Sequence, residues 1–272
     1  MAKLYVVGTP IGNLQDITAR ALKTLQTVDF IAAEDTRVTM KLLNHFEIKK
    51  HMISYFEHNR FEKGEMICDR IAAGESCALV TDAGMPAISD PGEDLVRLCR
   101  ERGIAVEVVP GPTAFASAIA VSGLKTGRFT FEGFLSVNKK NRKAHLGEIK
   151  TETRTMIFYE APHKLLYTLK DMKEALGERN IVIARELTKI HEEVLSLSFS
   201  AAIEKYTETP PKGEIVLILE GAPEQEPDEI TMEDAVAMAR VLMEEGVPKT
   251  EAAKTIAHKT GYKKGDLYKE LI

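Results

Sequence analysis

Short runs of apolar residues alternate with longer amphipathic segments through the first 121 residues of the chain. The runs are four to six residues long, which is typical of strands buried in a parallel sheet. They predict five strands, over residues 4–7, 30–33, 52–56, 77–81 and 104–109. Helical periodicity predicts helices over residues 16–25, 38–46, 60–73, 95–102 and 114–121, with Asp16 capping the first. This alternation indicates βαβ units and a parallel sheet with helices on both faces.

The pattern changes in the segment 123–134. Strands are predicted over residues 129–135, 155–159, 181–184, 193–199 and 214–219, and helices over 139–150, 165–176 and 201–206. The last two strands lack a long intervening helix, so we expect this second sheet to be mixed. Residues 222–230 are rich in Pro and acidic residues and predict a linker. Helices over 231–245, 250–260 and 264–271 then resemble a helix-turn-helix module.

The predicted organisation is therefore two α/β domains followed by a small helical tail. We place an N-terminal α/β domain at residues 1–123 and a second α/β domain at 124–221. The linker covers 222–230, and the three-helix tail covers 231–272.

Composition excludes several classes of protein. The chain has 36 basic and 41 acidic residues, so nucleic-acid binding must come from local patches rather than from net charge. Its three cysteines form no C-x-x-C pair, which favours a reducing compartment over a disulfide framework. The sequence predicts no signal peptide and no membrane span, and hence a cytoplasmic protein.

Three loops at the predicted ends of strands carry the candidate chemistry. They are the segments 8–12, 82–92 and 110–114, all rich in Gly, Pro and small residues. Such residues let a ligand approach the backbone closely and keep the loop rigid. They favour a site for a flat, mostly uncharged, adenosine-like ligand. No G-x-G-x-x-G or P-loop motif is present, which disfavours nicotinamide and nucleotide-triphosphate sites.

Two other classes of catalytic site are not indicated. The seven histidines show no metal-ligand spacing, so we expect no metal. The motif G-x-S-x-G is absent, which disfavours a serine nucleophile.

Eight segments resemble one known family, in the family's order. They read GTPIGNLQDIT (8–18), AEDTR (33–37), SYFEHN (54–59), VTDAGMPAISDPG (80–92), VVPGPTAFASA (108–118), FYEAPHKL (158–165), ARELTKIHEE (184–193) and GEIVLILEG (213–221). They resemble the 16S rRNA cytidine 2'-O-methyltransferases, a bacterial family of the tetrapyrrole methylase superfamily. The resemblance implies a homodimer that binds S-adenosylmethionine in a cleft between two α/β domains. It also implies methylation of a cytidine ribose in the decoding (P-site) region of 16S rRNA in the small ribosomal subunit.

The resemblance also implies which residues contact the cofactor. The matching positions are Pro10, Gly84, Met85, Ile88, Thr113, Ala114, Tyr159, Arg185 and Gly213. The superfamily's commoner Gly-Asp-Pro loop stands here as Gly-Met-Pro at 84–86, and Asp82 is the candidate for the missing acidic residue.

Methyl transfer from a sulfonium needs alignment and a group that accepts the hydroxyl proton. Glu34, Asp35, Glu160 and His163 follow predicted strands, and we take Asp35 and Glu160 as the catalytic candidates. The alternative for Asp35 is an ion pair with Arg37 or a helix cap.

Substrate binding has its own local signal. The segment 138–143 reads NKKNRK, so Lys139, Lys140, Arg142 and Lys143 are candidate RNA contacts. A solvated basic helix face is the alternative.

Two other functions stay open at this point. A relative of the same fold could methylate a small tetrapyrrole, although the basic segment and the tail disfavour it. Alternatively, the protein could be a non-catalytic nucleic-acid adaptor built on the tail.

Overall fold

The structure is a computed structural model that describes residues 2–223 and 230–271. The chain divides into two compact units, Met1–Ala222 and Pro223–Ile272. Most of the predicted linker, 222–230, lies outside the described residues. The boundary that we place at residue 123 falls within the first unit and stays a prediction. In the part of the chain that is described, no helix is long and apolar enough to cross a membrane.

The first sheet has five strands, all parallel, as the sequence predicts. In chain order they are β1 (Leu4–Val7), β2 (Phe30–Ala33), β3 (His51–Ser54), β4 (Cys77–Val80) and β5 (Val106–Val109). Their order across the sheet is β3-β2-β4-β1-β5. Every residue of β2 and β4 is apolar and buried, which is what a strand covered on both faces requires.

Helices cover both faces of this sheet, as predicted. They are α1 (Ala19–Thr27), α2 (Thr36–His45), α3 (Arg60–Ala72) and α4 (Glu93–Glu101). A fifth helix, α5 (Ala114–Val121), follows β5 and packs on the second sheet. Helices α3 and α4 bury Ile67 and Leu95 against one face. Helices α1 and α2 bury Leu25 and Leu43 against the other.

The predicted start of α1 is wrong. Asp16 ends a short 3-10 turn over Leu14–Asp16 instead of capping a helix. Thr18 is the N-cap, because its hydroxyl accepts a hydrogen bond from the Ala21 amide at 3.0 Å.

The second sheet is mixed, as predicted. Its strands are β6 (Phe129–Phe134), β7 (Thr155–Glu160), β8 (Asn180–Arg185), β9 (Glu193–Ser198) and β10 (Ile215–Leu219). Their order is β6-β7-β10-β8-β9, with only β6 and β7 parallel to each other among these neighbouring pairs.

The second sheet also has packed layers on both faces. Helices α6 (Lys139–Glu148), α7 (Leu165–Leu176) and α8 (Phe199–Glu208) contribute Leu146, Leu169 and Phe199 to one core cluster. On the other face lies α5, whose Ala118 and Ile119 pack in the same apolar cluster as β7, β8 and β10. Helix α5 therefore joins the two sheets.

The tail forms three helices, in agreement with the sequence. They are α9 (Met232–Glu244), α10 (Lys249–Thr260) and α11 (Lys264–Glu270). Thr231 and Asp234 form a capping box at the start of α9. Small residues such as Ala239 and Ala253 let the helices pack closely around Ile256 and Leu267.

Two glycines bring the loops after β1 and β5 into backbone contact. A Cβ atom on Gly111 would lie 2.8 Å from the carbonyl carbon and oxygen of Gly8. A Cβ atom on Gly8 would lie 2.7 Å from the backbone of Gly111. At Gly111, the three nearest atoms all belong to the backbone of Gly8, which cannot move aside. At Gly8, two of the three belong to the backbone of Gly111 and the third is the sulfur of Met85. Both positions therefore require glycine.

We expect Gly111→Ala to lower the free energy of unfolding by about 1–3 kcal/mol, because the added methyl forces the two loops apart. Denaturant unfolding measures the change. The control is Gly147→Ala in α6, where nothing lies within 4 Å of the added atom. This control should stabilise the helix slightly. An unchanged midpoint for Gly111→Ala would contradict the tight contact between the loops.

Candidate functional site

The three loops singled out in the sequence meet at one edge of the first sheet. They follow β1, β4 and β5, which are neighbours in the sheet. The backbones of Thr9 and Gly84 exchange two hydrogen bonds, of 2.9 and 3.1 Å. The Gly8 amide donates to the Val109 carbonyl at 3.0 Å. Parallel strands place their carboxyl ends together, and backbone bonds here fix the loops to one another.

A cavity of about 340 Å³ opens beside these loops, and we call it the first cavity. The first sheet contributes residues from the segments 83–90 and 113–115. The second sheet contributes Phe134, residues 159–162, Ala184, Leu187 and residues 213–216. Both sheets therefore build the wall of this cavity.

Tyr159 holds the two sides of the first cavity in register. Its hydroxyl accepts a hydrogen bond from the Phe115 amide at 3.3 Å, which links β7 to the first turn of α5. Its ring also packs edge-on against Phe131, with centroids 5.0 Å apart. Burial raises the pKa of the Tyr159 phenol, so it stays neutral at physiological pH.

The loop over residues 84–92 has a strained backbone. Ala87 and Ser89 have φ angles of 67° and 62°, in the left-handed region that side chains rarely adopt. Each such residue costs on the order of 1 kcal/mol, and strain of this kind concentrates at functional sites. The two residues that follow them, Ile88 and Asp90, both line the first cavity.

The charge of the first cavity is negative. Asp90, Glu160 and Glu214 line it, and no Lys, Arg or His of the described residues does. Most of the remaining wall is apolar or aromatic. A ligand that combines a flat apolar body with positive charge fits this wall, and S-adenosylmethionine has that chemistry.

Asp90 is the functional candidate that sequence reasoning missed. Burial, followed by the nearby carboxylates of Glu34 and Asp82, raises its pKa to about 7. Burial and Glu34 also raise the pKa of Asp82. A bound cation would favour the ionised form of Asp90 and lower its pKa again.

The structure brings most of the predicted cofactor contacts together. Seven of the predicted residues line the first cavity: Gly84, Met85, Ile88, Thr113, Ala114, Tyr159 and Gly213. Gly213 has a φ of +86°, and a Cβ atom there would lie 2.2 Å from a carboxylate oxygen of Glu186.

Three predicted contacts lie elsewhere. Pro10 and Asp82 line a neighbouring cavity instead. Arg185 lines neither cavity, and its guanidinium faces Glu193 and the Lys212 carbonyl, both at 3.3 Å.

The two catalytic candidates are both held by hydrogen bonds. Asp35 caps α2 and accepts bonds from the Arg37 amide at 2.8 Å and from the Arg37 guanidinium at 2.7 and 3.0 Å. This partner lowers the pKa of Asp35 to about 2. Glu160 is buried and accepts bonds from the Ala161 amide at 2.7 Å and from the Thr168 hydroxyl. Glu160 lines the first cavity, whereas Asp35 lines neither.

The neighbouring cavity, which we call the second cavity, also has a volume of about 340 Å³. It is lined by the loop after β1, the loop after β4 and one face of α2. It shares Ile11, Ala83 and Glu214 with the first cavity. A ligand in one cavity would therefore lie close to a ligand in the other.

The basic segment 138–143 divides into two kinds of residue. Arg142 bonds to the Asp171 carboxylate at 2.7 Å and to the Ser136 carbonyl at 2.9 Å, so its role includes holding α6 on α7. Lys143 pairs with Glu174 at 2.8 Å. Lys139 and Lys140 are exposed and have no ion-pair partner among the described residues.

Within residues 2–223 and 230–271, no group of three or more His, Cys, Asp or Glu side chains is arranged to hold a metal ion. The prediction of a metal-free site stays a prediction.

Known proteins similar to this chain are methylases. A model of the family described as Tetrapyrrole (Corrin/Porphyrin) Methylases matches residues 3–202. A protein of Synechocystis sp. named ribosomal RNA small subunit methyltransferase I is 47% identical over 269 residues, or 98% of this chain and 96% of that protein. A Thermotoga maritima protein of the same name is 50% identical over 221 residues, or 81% of this chain and 99% of that protein.

A solved structure shares the fold. Uroporphyrin-III C-methyltransferase from Thermus thermophilus, complexed with S-adenyl homocysteine, has a TM-score of 0.58 at 16% identity. The match covers 80% of this chain and 97% of that chain. The two sheets, the cavity between them and these relatives agree: the chain belongs to the tetrapyrrole (corrin/porphyrin) methylase family.

Proposed function

We propose that this protein transfers a methyl group from S-adenosylmethionine to the ribose 2'-hydroxyl of a cytidine in the decoding (P-site) region of 16S rRNA. The observation that carries the proposal is the first cavity, which is apolar, acidic and built by loops from both sheets. The names of the relatives support small-subunit ribosomal RNA as the substrate. The sequence resemblance supports the cytidine and the 2'-hydroxyl.

Bound S-adenosylmethionine supplies an activated methyl group on a sulfonium. The residues of the first cavity act by holding the cofactor in a fixed orientation and by excluding water. Gly84 and Gly213 allow close approach of its groups to the backbone, while Tyr159 gives a flat apolar face. Metal-free transfer is part of the proposal, because a neutral hydroxyl and a cationic donor need alignment more than a Lewis acid.

The hydroxyl proton must pass to a base. Asp35 and Glu160 remain our proposed catalytic residues. Asp35 is ionised at neutral pH, since Arg37 lowers its pKa to about 2. Glu160 lines the cofactor side. To accept a proton, Asp35 has to give up one of its bonds to Arg37, whereas Glu160 accepts two bonds and keeps lone pairs for another.

We further propose that the protein acts in the cytoplasm as a homodimer and on RNA within the small ribosomal subunit. The family resemblance supports the homodimer. The proposed substrate supports the location, and recognition of RNA by shape, phosphates and an unstacked base fits a folded subunit.

Transfer of labelled methyl groups tests the function directly. Small subunits that lack the modification are incubated with the protein and labelled S-adenosylmethionine, and 2'-O-methyl groups are mapped by resistance to alkaline cleavage. We expect label at one cytidine of the decoding region. Ile88→Arg should abolish transfer and cofactor binding, because Ile88 lines the first cavity. The matched control is Ile190→Arg, at a side chain that is 98% exposed. Label on a porphyrinoid instead of RNA, or no heat of cofactor binding, would contradict the proposal.

Asp90 predicts a pH dependence of cofactor binding. Because its pKa is about 7, the carboxylate is mostly protonated at about pH 6 and mostly ionised at about pH 8. The preference for S-adenosylmethionine over S-adenosylhomocysteine, which lacks the sulfonium charge, should rise by up to about tenfold between these values. Calorimetry with each ligand measures the ratio of their affinities. Because both ligands carry the same amino group, its titration affects both affinities equally and drops out of the ratio. Asp90→Asn should remove the pH dependence of this ratio, and a ratio that still rises would exclude Asp90 as its source.

Lys139 and Lys140 predict the salt dependence of RNA binding. Replacing both by Gln should lower RNA affinity and reduce the slope of log affinity against log salt by about 1.5. Stability should not change, because both side chains are exposed. Arg142→Gln is the contrasting variant, since loss of its Asp171 and carbonyl bonds should lower stability by about 1–3 kcal/mol. An unaltered slope in the double variant would place the RNA on another face.

A further inference from the structure

The second cavity is a recess in the first sheet, next to the proposed cofactor site. Pro10 and Ile11 form one side, Thr81 and Asp82 another, and Thr39 and Leu42 of α2 a third. Its volume of about 340 Å³ falls within the usual range for small-ligand sites. Of the predicted cofactor contacts, Pro10 and Asp82 line it, and the other eight do not.

Thr39 is a buried polar residue with no partner. The residue is 3% exposed, and its hydroxyl has no hydrogen-bond partner among the described residues. It lines the second cavity. A buried hydroxyl without a partner costs about 1–3 kcal/mol, so its retention calls for an explanation.

Other threonines within helices form a hydroxyl-to-carbonyl hydrogen bond that Thr39 lacks. The hydroxyls of Thr27, Thr207 and Thr260 each donate to the carbonyl four residues earlier, at 2.7–2.9 Å. This back-bonding is the usual arrangement for threonine in a helix. The Thr39 hydroxyl makes no such bond, so its capacity to donate and accept a hydrogen bond is unused in this structure.

Two lysines and two carboxylates, those of Asp82 and Glu214, line the recess. Lys41 lines the cavity, is exposed, and has no ion-pair partner in the described part of the chain. Lys189 also lines it, although its ammonium is held by Glu186 at 2.8 Å and Glu214 at 3.3 Å. A phosphate at the mouth would meet Lys41, while the polar edge of a base or ribose would meet Thr39.

The position of the recess relates it to methyl transfer. The two cavities share Ile11, Ala83 and Glu214, so a ribose in the second would lie against the cofactor in the first. Asp35 and its partner Arg37 stand in the first turn of α2, on the helix that carries Thr39. A hydroxyl placed in the recess would therefore be near the proposed base and the proposed donor.

We propose that the second cavity receives the target nucleotide, unstacked from the RNA, and that the Thr39 hydroxyl hydrogen-bonds to its base or ribose. The inference rests on the proposed function, because it names the subsite in which the RNA substrate of that reaction is held. Enzymes that act on a base commonly take that nucleotide out of its stack into a pocket, and the proposal extends this arrangement to a ribose.

Thr39→Val tests the recess, because valine keeps the shape and removes the hydroxyl. We expect the KM for small subunits to rise about fivefold, which is the loss expected for one hydrogen bond to a neutral group. Calorimetric affinity for S-adenosylmethionine should not change, and unfolding should show no loss of stability. Thr39→Ser keeps the hydroxyl and should restore the KM. Thr24→Val is the matched control, a buried threonine of α1 outside both cavities.

The outcomes separate the two proposals. If Thr39→Val keeps the wild-type KM, the proposal that the second cavity receives the target nucleotide is overturned, while the proposed function stands. If Thr39→Val changes the affinity for S-adenosylmethionine, the second cavity belongs to the cofactor, and the proposal of a nucleotide site is again overturned. If the wild-type enzyme itself labels no RNA, the proposed function is wrong, and the proposal of a nucleotide site in the second cavity is wrong with it.

Discussion

The site depends on backbone contact between the loops that follow β1, β4 and β5. Gly8 and Gly111 touch through their main chains, and Thr9 and Gly84 form a two-bond bridge. These contacts need no side chains, so the side chains of the same loops are available to line cavities. Because β1 and β4 are largely buried, the loops that follow these two strands are anchored to the core of the sheet.

Charged residues of opposite sign in two different places suit two different ligands. The wall of the first cavity carries carboxylates and suits a cation, whereas exposed lysines on α6 suit phosphates. A chain with a net charge of −5 can therefore recognise RNA only through local patches. The pKa of about 7 at Asp90 reflects its burial first and the nearby carboxylates of Glu34 and Asp82 second.

The sequence predicts the architecture well because hydrophobic runs and strand-end loops are local signals. The buried run Cys77–Val80 and the glycine-rich loop after it need no tertiary information to interpret. Sequence reasoning missed Asp90 because its pKa is raised by burial and by carboxylates that are distant in sequence. Glu34, for example, lies in a loop more than fifty residues earlier. Arg142 looked like a free cation because Asp171, its partner, lies 29 residues further along the chain. The start of α1 failed for a different reason, since Asn13, Asp16 and Thr18 are all good caps and only packing selects among them.

The order of strands explains why two cavities adjoin. The loops after β4, β1 and β5 contribute to the first cavity, while the loops after β4 and β1, together with helix α2, line the second. The two central loops, after β4 and β1, therefore belong to both, which is why Ala83 and Ile11 line each cavity. Helix α2 follows β2 and places Thr39 in the second cavity, about one turn of helix beyond the N-cap residue Asp35. A ribose held in the proposed recess would therefore meet a donor held in the first cavity at the residues that both cavities share, beside the Thr9–Gly84 bridge.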